Sequence, residues 1–230
     1  MRFLLRPTLA ATGALVAMAA AAATGAAPAA AAGAPAERAG PPLLWDAVAE
    51  LPVAAESREG YARTSFRHWV DVDADGCSAR YEVLLEEAIE APQVGPGCTL
   101  SGGRWYSYYD DTVVDRASAL DVDHLVPLAE AWDSGASAWT PQERQAYANY
   151  LDAPEHLVAV TTRSNRQKAD KDPAQWLPIE PVRCRYVSEW TAIKRRWALS
   201  VDAQEKAALT EIAHGCPNDP LAEKTAPDAA

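Results

Sequence analysis

Asp121-Val122-Asp123-His124-Leu125-Val126-Pro127-Leu128 is the stretch on which the reading of this chain turns. Leu120, Val122, Leu125, Val126 and Leu128 surround an adjacent Asp-His pair. The pattern predicts a strand, a turn and a second strand that Pro127 keeps short. In an extended segment Asp123 and His124 face opposite ways. Downstream, Leu157-Val158-Ala159-Val160-Thr161 is β-prone, and a short helix is expected over roughly 162–171. That helix carries Asn165, 41 residues past His124, with Arg166 beside it and Lys168 one turn on.

A strand residue and a helix residue can hold one hydrated cation between them. Asp123 offers a carboxylate oxygen and Asn165 an amide oxygen. So few protein ligands suit Mg²⁺, or Mn²⁺ in its place, because the ion keeps several waters and reaches a substrate phosphate. His124, whose unperturbed pKa lies close to neutral, is the candidate base. Arg166 and Lys168 are candidates to hold non-bridging phosphate oxygens. Each piece alone has a plainer reading. An Asp-His pair commonly makes a hydrogen-bonded turn, Asn165 serves as a helix or turn residue, and His156 in Glu155-His156-Leu157 caps a strand.

Outward from this motif, the charge is uneven. Residues 37–162 carry 22 acidic and 8 basic side chains, and residues 163–200 carry 9 basic and 4 acidic ones. A chain of net charge −11 lacks the broad basic face of a tight sequence-specific DNA binder, yet its positive tract begins beside Asn165. Arg2 and Arg6, the apolar run Leu9–Ala23 and the small-residue sites at Ala21–Ala23 and Ala34-Pro35-Ala36 predict an export signal over residues 1–36, with a retained membrane anchor as the rival. An arm or linker is expected over 37–57, one domain over 58–216 and a mobile tail over 217–230. Export makes disulfides the default for Cys77, Cys98, Cys184 and Cys216. Four cysteines allow three pairings. Cys77–Cys98 and Cys184–Cys216 are the expected pair, and a four-cysteine zinc site is disfavoured by the lack of any close Cys pair.

Other elements follow from local signals. Residues 43–58 read as a short helix or arm, 79–90 as helix and 103–109 as extended. Thr140-Pro141-Gln142-Glu143 opens a helix with a capping box. Tyr186, Trp190, Ile193 and Trp197 form an apolar helical stripe, and Asp202 to Glu205 caps the next helix. Trp105, Tyr106, Tyr108 and Tyr109 fill the core or stack on bases. Asp71, Asp73, Asp75, Gly76 and Glu82 fit a twelve-residue calcium loop, so a structural Ca²⁺ is a second metal candidate beside a solvated acidic turn.

Taken together, these stretches resemble the secreted HNH-type (His-Me finger) endonucleases, which are related to the C-terminal nuclease domain of GmrSD-type restriction enzymes. The resemblance rests on Trp69–Arg80, Asp121–Ala136, Arg144–Asn149, Glu155–Val160 and Asn165–Pro178, within residues 58–216. It implies an α+β fold with a ββα-metal core, surrounding helices and disulfide stabilisation. It further implies His124 as general base, Asp123 and Asn165 as metal ligands, His156 as the middle position that steadies the loop, and Arg80 as a phosphate contact. The expected substrate is nucleic acid, DNA before RNA, with no obligate protein partner and no membrane after signal removal. Two departures stand out: Tyr150 where the family often has Asp, and Tyr109-Asp110-Asp111 where it often has Tyr-Thr-Gly. The alternative is a non-enzymatic, calcium-stabilised secreted binding module.

Overall fold

The computed structural model describes residues 40–221. The export signal expected over 1–36 lies outside them. In chain order the elements are α1 (Leu44–Glu50), α2 (Ala79–Glu86), β1 (Ala88–Glu90), β2 (Gln93–Gly95), β3 (Thr99–Ser101), β4 (Arg104–Ser107), β5 (Thr112–Val114) and β6 (Leu120–His124). There follow α3 (Leu128–Asp133), α4 (Pro141–Ala148), β7 (Leu157–Thr161), α5 (Thr162–Lys168), α6 (Arg183–Arg196) and α7 (Ala203–His214). The fold is mixed, with helices around three small antiparallel sheets: β1-β4-β5, β2-β3 and β6-β7.

The β6–β7 pair is the centre of the molecule. Its register runs Leu120↔Thr161, Asp121↔Val160, Val122↔Ala159, Asp123↔Val158 and His124↔Leu157. Side chains alternate, so the two faces enter different cores. Leu120, Val122, Leu157 and Ala159 pack with Val83, Leu84 and Trp105. Val158 and Val160 join the larger core of Tyr109, Tyr147, Tyr186, Trp190, Ile193 and Leu209. The free edge of β7 is closed by side chains instead of a third strand: Ala159 N donates to Glu87 Oε2 at 3.0 Å, and Thr161 N donates to Ser107 Oγ at 3.0 Å.

The helix ends are where the sequence puts them. Thr140 and Glu143 make a reciprocal capping box on α4. Asp202 accepts from Gln204 N and Glu205 N at the start of α7. The stripe of α6 is buried at Tyr186, Trp190 and Ile193. Both disulfides form as expected, Cys77–Cys98 and Cys184–Cys216. The second closes a separation of 32 residues and ties the start of α6 to the end of α7. A loop of that size stabilises by about 3–4 kcal/mol in the chain-entropy picture.

Three expectations are corrected, and one is met. No strand follows the Asp-His turn; Leu125 N bonds His156 O at 3.1 Å, the last rung of the ladder, and Leu128 opens α3. Pro127 has no N–H for a ladder but suits a helix start. The helix expected over 79–90 stops at Glu86, because Ala88–Glu90 pairs with β4. The short helix or arm read over 43–58 is the helix α1, whose Leu44, Ala47 and Val48 are core residues. The tail is anchored as far as Leu221, which is buried and bonds Pro42 O through its N–H.

Candidate active site

Strand β6 delivers Asp123 and His124, and α5, starting directly from the end of β7, delivers Asn165. The start of α5 is tied down by a polar knot. Thr161 Oγ1 accepts from Ser164 N and donates to Asp110 Oδ2 at 2.6 Å, while Ser107 Oγ donates to Asp110 Oδ1 at 2.6 Å. Asp110, one of the two departures from the family pattern, therefore braces the helix that carries Asn165.

Asp123 is buried and held on one oxygen. Its Oδ2 accepts from Tyr109 Oη at 2.7 Å and from the Lys168 amine at 2.8 Å. Lys168, fully buried, also donates to His124 O at 3.1 Å. Burial pushes the Asp123 carboxyl up and the Lys168 amine down, with each partner's charge opposing the shift. Oδ1 of Asp123 makes no hydrogen bond among the described residues. Lys168, expected to hold substrate phosphate, is committed to Asp123.

His124 donates from Nε2 to Ala148 O at 2.9 Å. A carbonyl only accepts, so Nε2 carries the proton and Nδ1 is the basic nitrogen of the neutral ring. Burial holds the imidazole well below its usual pKa, so the ring is neutral at pH 7. Trp69 covers it at 5.2 Å between ring centroids, and Tyr147 lies nearly parallel to it at 6.5 Å. Trp69 adopts a left-handed backbone, φ 59°, unusual for a bulky residue and a form of strain that concentrates at functional sites. Asn149 pins this strap: its Oδ1 accepts from Val70 N at 2.9 Å and its Nδ2 donates to Arg67 O at 2.8 Å.

His156 stands behind the site. Its Nε2 donates to Tyr147 O at 2.7 Å, the carbonyl next to the one His124 holds. The two histidines thus reach successive carbonyls at the C-terminus of α4, and Tyr147 O also accepts from Tyr150 N at 3.4 Å. Tyr147, Tyr150 and Trp197 enclose the His156 ring, and its Nδ1 is buried with no partner. Burial lowers its pKa to about 3. Tyr150, the other departure, packs edge-on against the His156 and Trp197 rings.

An open cavity of about 340 Å³ gathers Asp123, His124, Asn165 and Arg166 together with Arg63, Pro127, Ala169 and Asp170. Asn165 donates from Nδ2 to Asp121 Oδ2 at 3.0 Å. Its amide oxygen makes no hydrogen bond among the described residues. Hard oxygen donors on Asp123 and Asn165, each with a free oxygen, in a space that holds several waters, fit a Mg²⁺ or Mn²⁺ ion. Arg80 is not at the cavity; its guanidinium donates to Leu120 O at 3.2 Å. Arg63 is, from a turn sixty residues upstream. Its only sequence signal is a place in the aromatic and basic run Tyr61–Val70. Tyr109, read as a core or base-stacking aromatic, also holds Asp123, and Asp121, which opens the motif, sits two residues before Asp123 and so shares its face.

Asp71, Asp73 and Asp75 bring carboxylate oxygens within 4.8 Å of one another, and carboxylate oxygens of Asp75 and Glu82 lie within the same distance of each other and of the disulfide-bonded Cys77 sulfur. Gly76 N donates to Asp71 Oδ2 at 3.0 Å, and Glu82 Oε1 is buried without a partner. Burial, then Asp75, Asp73 and Asp71, push the Glu82 carboxyl up.

An antiparallel strand pair running into a helix, with Asp, His and Asn at one cavity, is the class of site defined here. Residues 74–212 match the family described as GmrSD restriction endonucleases, C-terminal domain, and the chain belongs to that family. It is also 39% identical over 160 residues to a protein of Arthroderma benhamiae described as an uncharacterized secreted protein, covering 69% of this chain and 77% of that one. No solved structure matches.

Proposed function

We propose that this chain is an exported, divalent-metal-dependent endonuclease that hydrolyses phosphodiester bonds in DNA. One observation carries the reading: Asp123, His124 and Asn165 line one open cavity, and Asp123 Oδ1, His124 Nδ1 and Asn165 Oδ1 make no hydrogen bond among the described residues. A bound Mg²⁺ or Mn²⁺ held by Asp123 and Asn165 supplies Lewis-acid polarisation of the phosphate and charge for the departing oxygen. His124 Nδ1 takes the proton from the attacking water, with Nε2 anchored on Ala148 O so that the ring presents the correct nitrogen. Arg63 and Arg166, on the cavity wall, hold phosphate oxygens. Lys168 and Tyr109 fix Asp123, and His156 fixes the carbonyl next to the one that holds His124. Export is supported by the two disulfides and by the secreted relative.

The test is supercoiled plasmid incubated with purified mature protein. Mg²⁺ or Mn²⁺ should support nicking and EDTA should stop it. His124→Ala should lower the rate by about 10²–10⁴-fold. Intact plasmid with the wild-type protein, or an unchanged rate in the variant, defeats the reading; running RNA in parallel sets the substrate range.

The unpartnered Glu82 oxygen beside three aspartates favours a second, structural ion. We infer that Asp71, Asp73, Asp75 and Glu82 hold Ca²⁺ and that the Cys77–Cys98 bridge keeps the loop in shape. Ca²⁺ should raise the melting temperature relative to EDTA, and Asp73→Ala should abolish that gain. Equal melting in Ca²⁺ and EDTA defeats it. Nicking by the wild-type protein decides against a purely calcium-stabilised binding module.

A further inference from the structure

We infer that Asp121 is a positioning residue of the metal site, acting through Asn165. The inference rests on the metal-site reading above. Asp121 and Asp123 lie two residues apart on β6, paired with Val160 and Val158, and so share one face of the strand pair. Asp123 is locked from two sides, by Tyr109 and by Lys168. Asn165 makes one side-chain hydrogen bond, Nδ2 to Asp121 Oδ2 at 3.0 Å.

The chemistry of that bond sets the orientation of the amide. A side-chain amide is a donor at one end and an acceptor at the other, and the two ends exchange by a half-turn about the terminal bond. An ionised carboxylate only accepts. Asp121 therefore draws the nitrogen and turns the oxygen away from itself, leaving Asn165 Oδ1 free for an ion. With Asp121 removed, either end of the amide can face the cavity, and only the oxygen end is a ligand. Asp121 is half-buried and belongs to neither core cluster, so its side chain is not needed to fill the core.

Outer partners of metal ligands affect affinity by about 10–100-fold when removed. Asp121→Ala should weaken Mn²⁺ binding by about 10-fold, read by electron paramagnetic resonance of free Mn²⁺, and shift the Mg²⁺ dependence of nicking to higher concentration by the same factor. Melting in EDTA should change little. Asp121→Asn keeps an oxygen that can accept from Asn165 Nδ2, so it should recover most of the affinity. In an Asn165→Ala background, Asp121→Ala should add nothing. Unchanged Mn²⁺ affinity in Asp121→Ala overturns the inference. So does a loss in Asp121→Asn as large as in Asp121→Ala, which would make Asp121 a ligand through its charge. Wild-type protein that neither binds Mn²⁺ nor nicks plasmid overturns the parent reading and this one together, a result distinct from either of those.

Discussion

Lys168 and Lys194 are both wholly buried, and both are ion-paired, yet they are built into opposite kinds of environment. The Lys194 amine is surrounded by acceptors: Glu130 Oε1 and Ser134 Oγ at 2.6 Å, Ser200 O at 2.8 Å and Glu205 Oε2 at 3.2 Å. The network is closed further by Trp190 Nε1 donating to Glu205 Oε1 and Ser134 Oγ donating to Glu130 Oε1. Lys168 has two acceptors, Asp123 Oδ2 and His124 O, and the carboxylate it holds keeps one oxygen open beside a cavity. The pKa directions follow. Two carboxylates outweigh burial at Lys194 and raise it, whereas burial outweighs one carboxylate at Lys168 and lowers it. A saturated network specifies packing; a deliberately unsaturated one leaves room for a further charge. That difference separates the scaffold of this molecule from its site.

The sharpest way to break the comparison is to remove each lysine in turn. Lys194→Met leaves Glu130 and Glu205 buried without their cation, and breaking a buried pair in this way costs about 3–5 kcal/mol. The loss, measured by urea unfolding, should be about the same in EDTA and in Mn²⁺, because neither Asp123 nor Asn165 belongs to that network. Lys168→Met should also destabilise in EDTA, but Mn²⁺ should restore much of it. A ligand at a hundred times its Kd contributes about 2.7 kcal/mol. Equal behaviour of the two variants toward Mn²⁺ would erase the distinction between scaffold and site.

How far the sequence carries this picture depends on the range over which each signal acts. The capping box at Thr140, the Asp202 cap, the β-prone Leu157–Thr161 and the α6 stripe are local, and each is where its residues place it. The second strand expected after His124 is absent, because β6 takes its partner from β7 and Pro127 is used to start α3. Nothing in the eight residues of the motif distinguishes those outcomes. The same limit applies at the cavity. Asp123, His124 and Asn165 are legible from a motif and its resemblance. Lys168 was legible as a residue but not as a partner of Asp123, since pairing across 45 residues is a property of how α5 lies on β6. Arg63, Tyr109 and Asn149 reach the site from turns and helix ends with no periodicity of their own. The sequence signal for Asp121 was present, in the alternation of an extended strand, and only the hydrogen bond to Asn165 gives it meaning.

The smallest effect expected is on the acid side of the stability curve, and it bears on the same two regions. His156 has a folded pKa of about 3 against an ordinary value of 6.5. Between those values the folded protein binds fewer protons than the unfolded chain. The stabilisation is therefore complete above pH 6.5 and is lost as pH falls toward 3, at about 1.4 kcal/mol per pH unit. Glu205, in the Lys194 network, has the opposite sign. Burial pushes its carboxyl above the ordinary range, against Lys194, so its contribution is greatest at low pH and is lost as pH rises. The two slopes partly cancel in the wild-type protein, and one substitution separates them. His156→Asn keeps a donor for Tyr147 O and removes the titrating ring, so between pH 6.5 and 5 its stability should fall less steeply than that of the wild type. Urea midpoints at pH 7.5, 6.0 and 5.0 give the comparison. Parallel curves for the two proteins would mean that His156 does not carry the acid sensitivity.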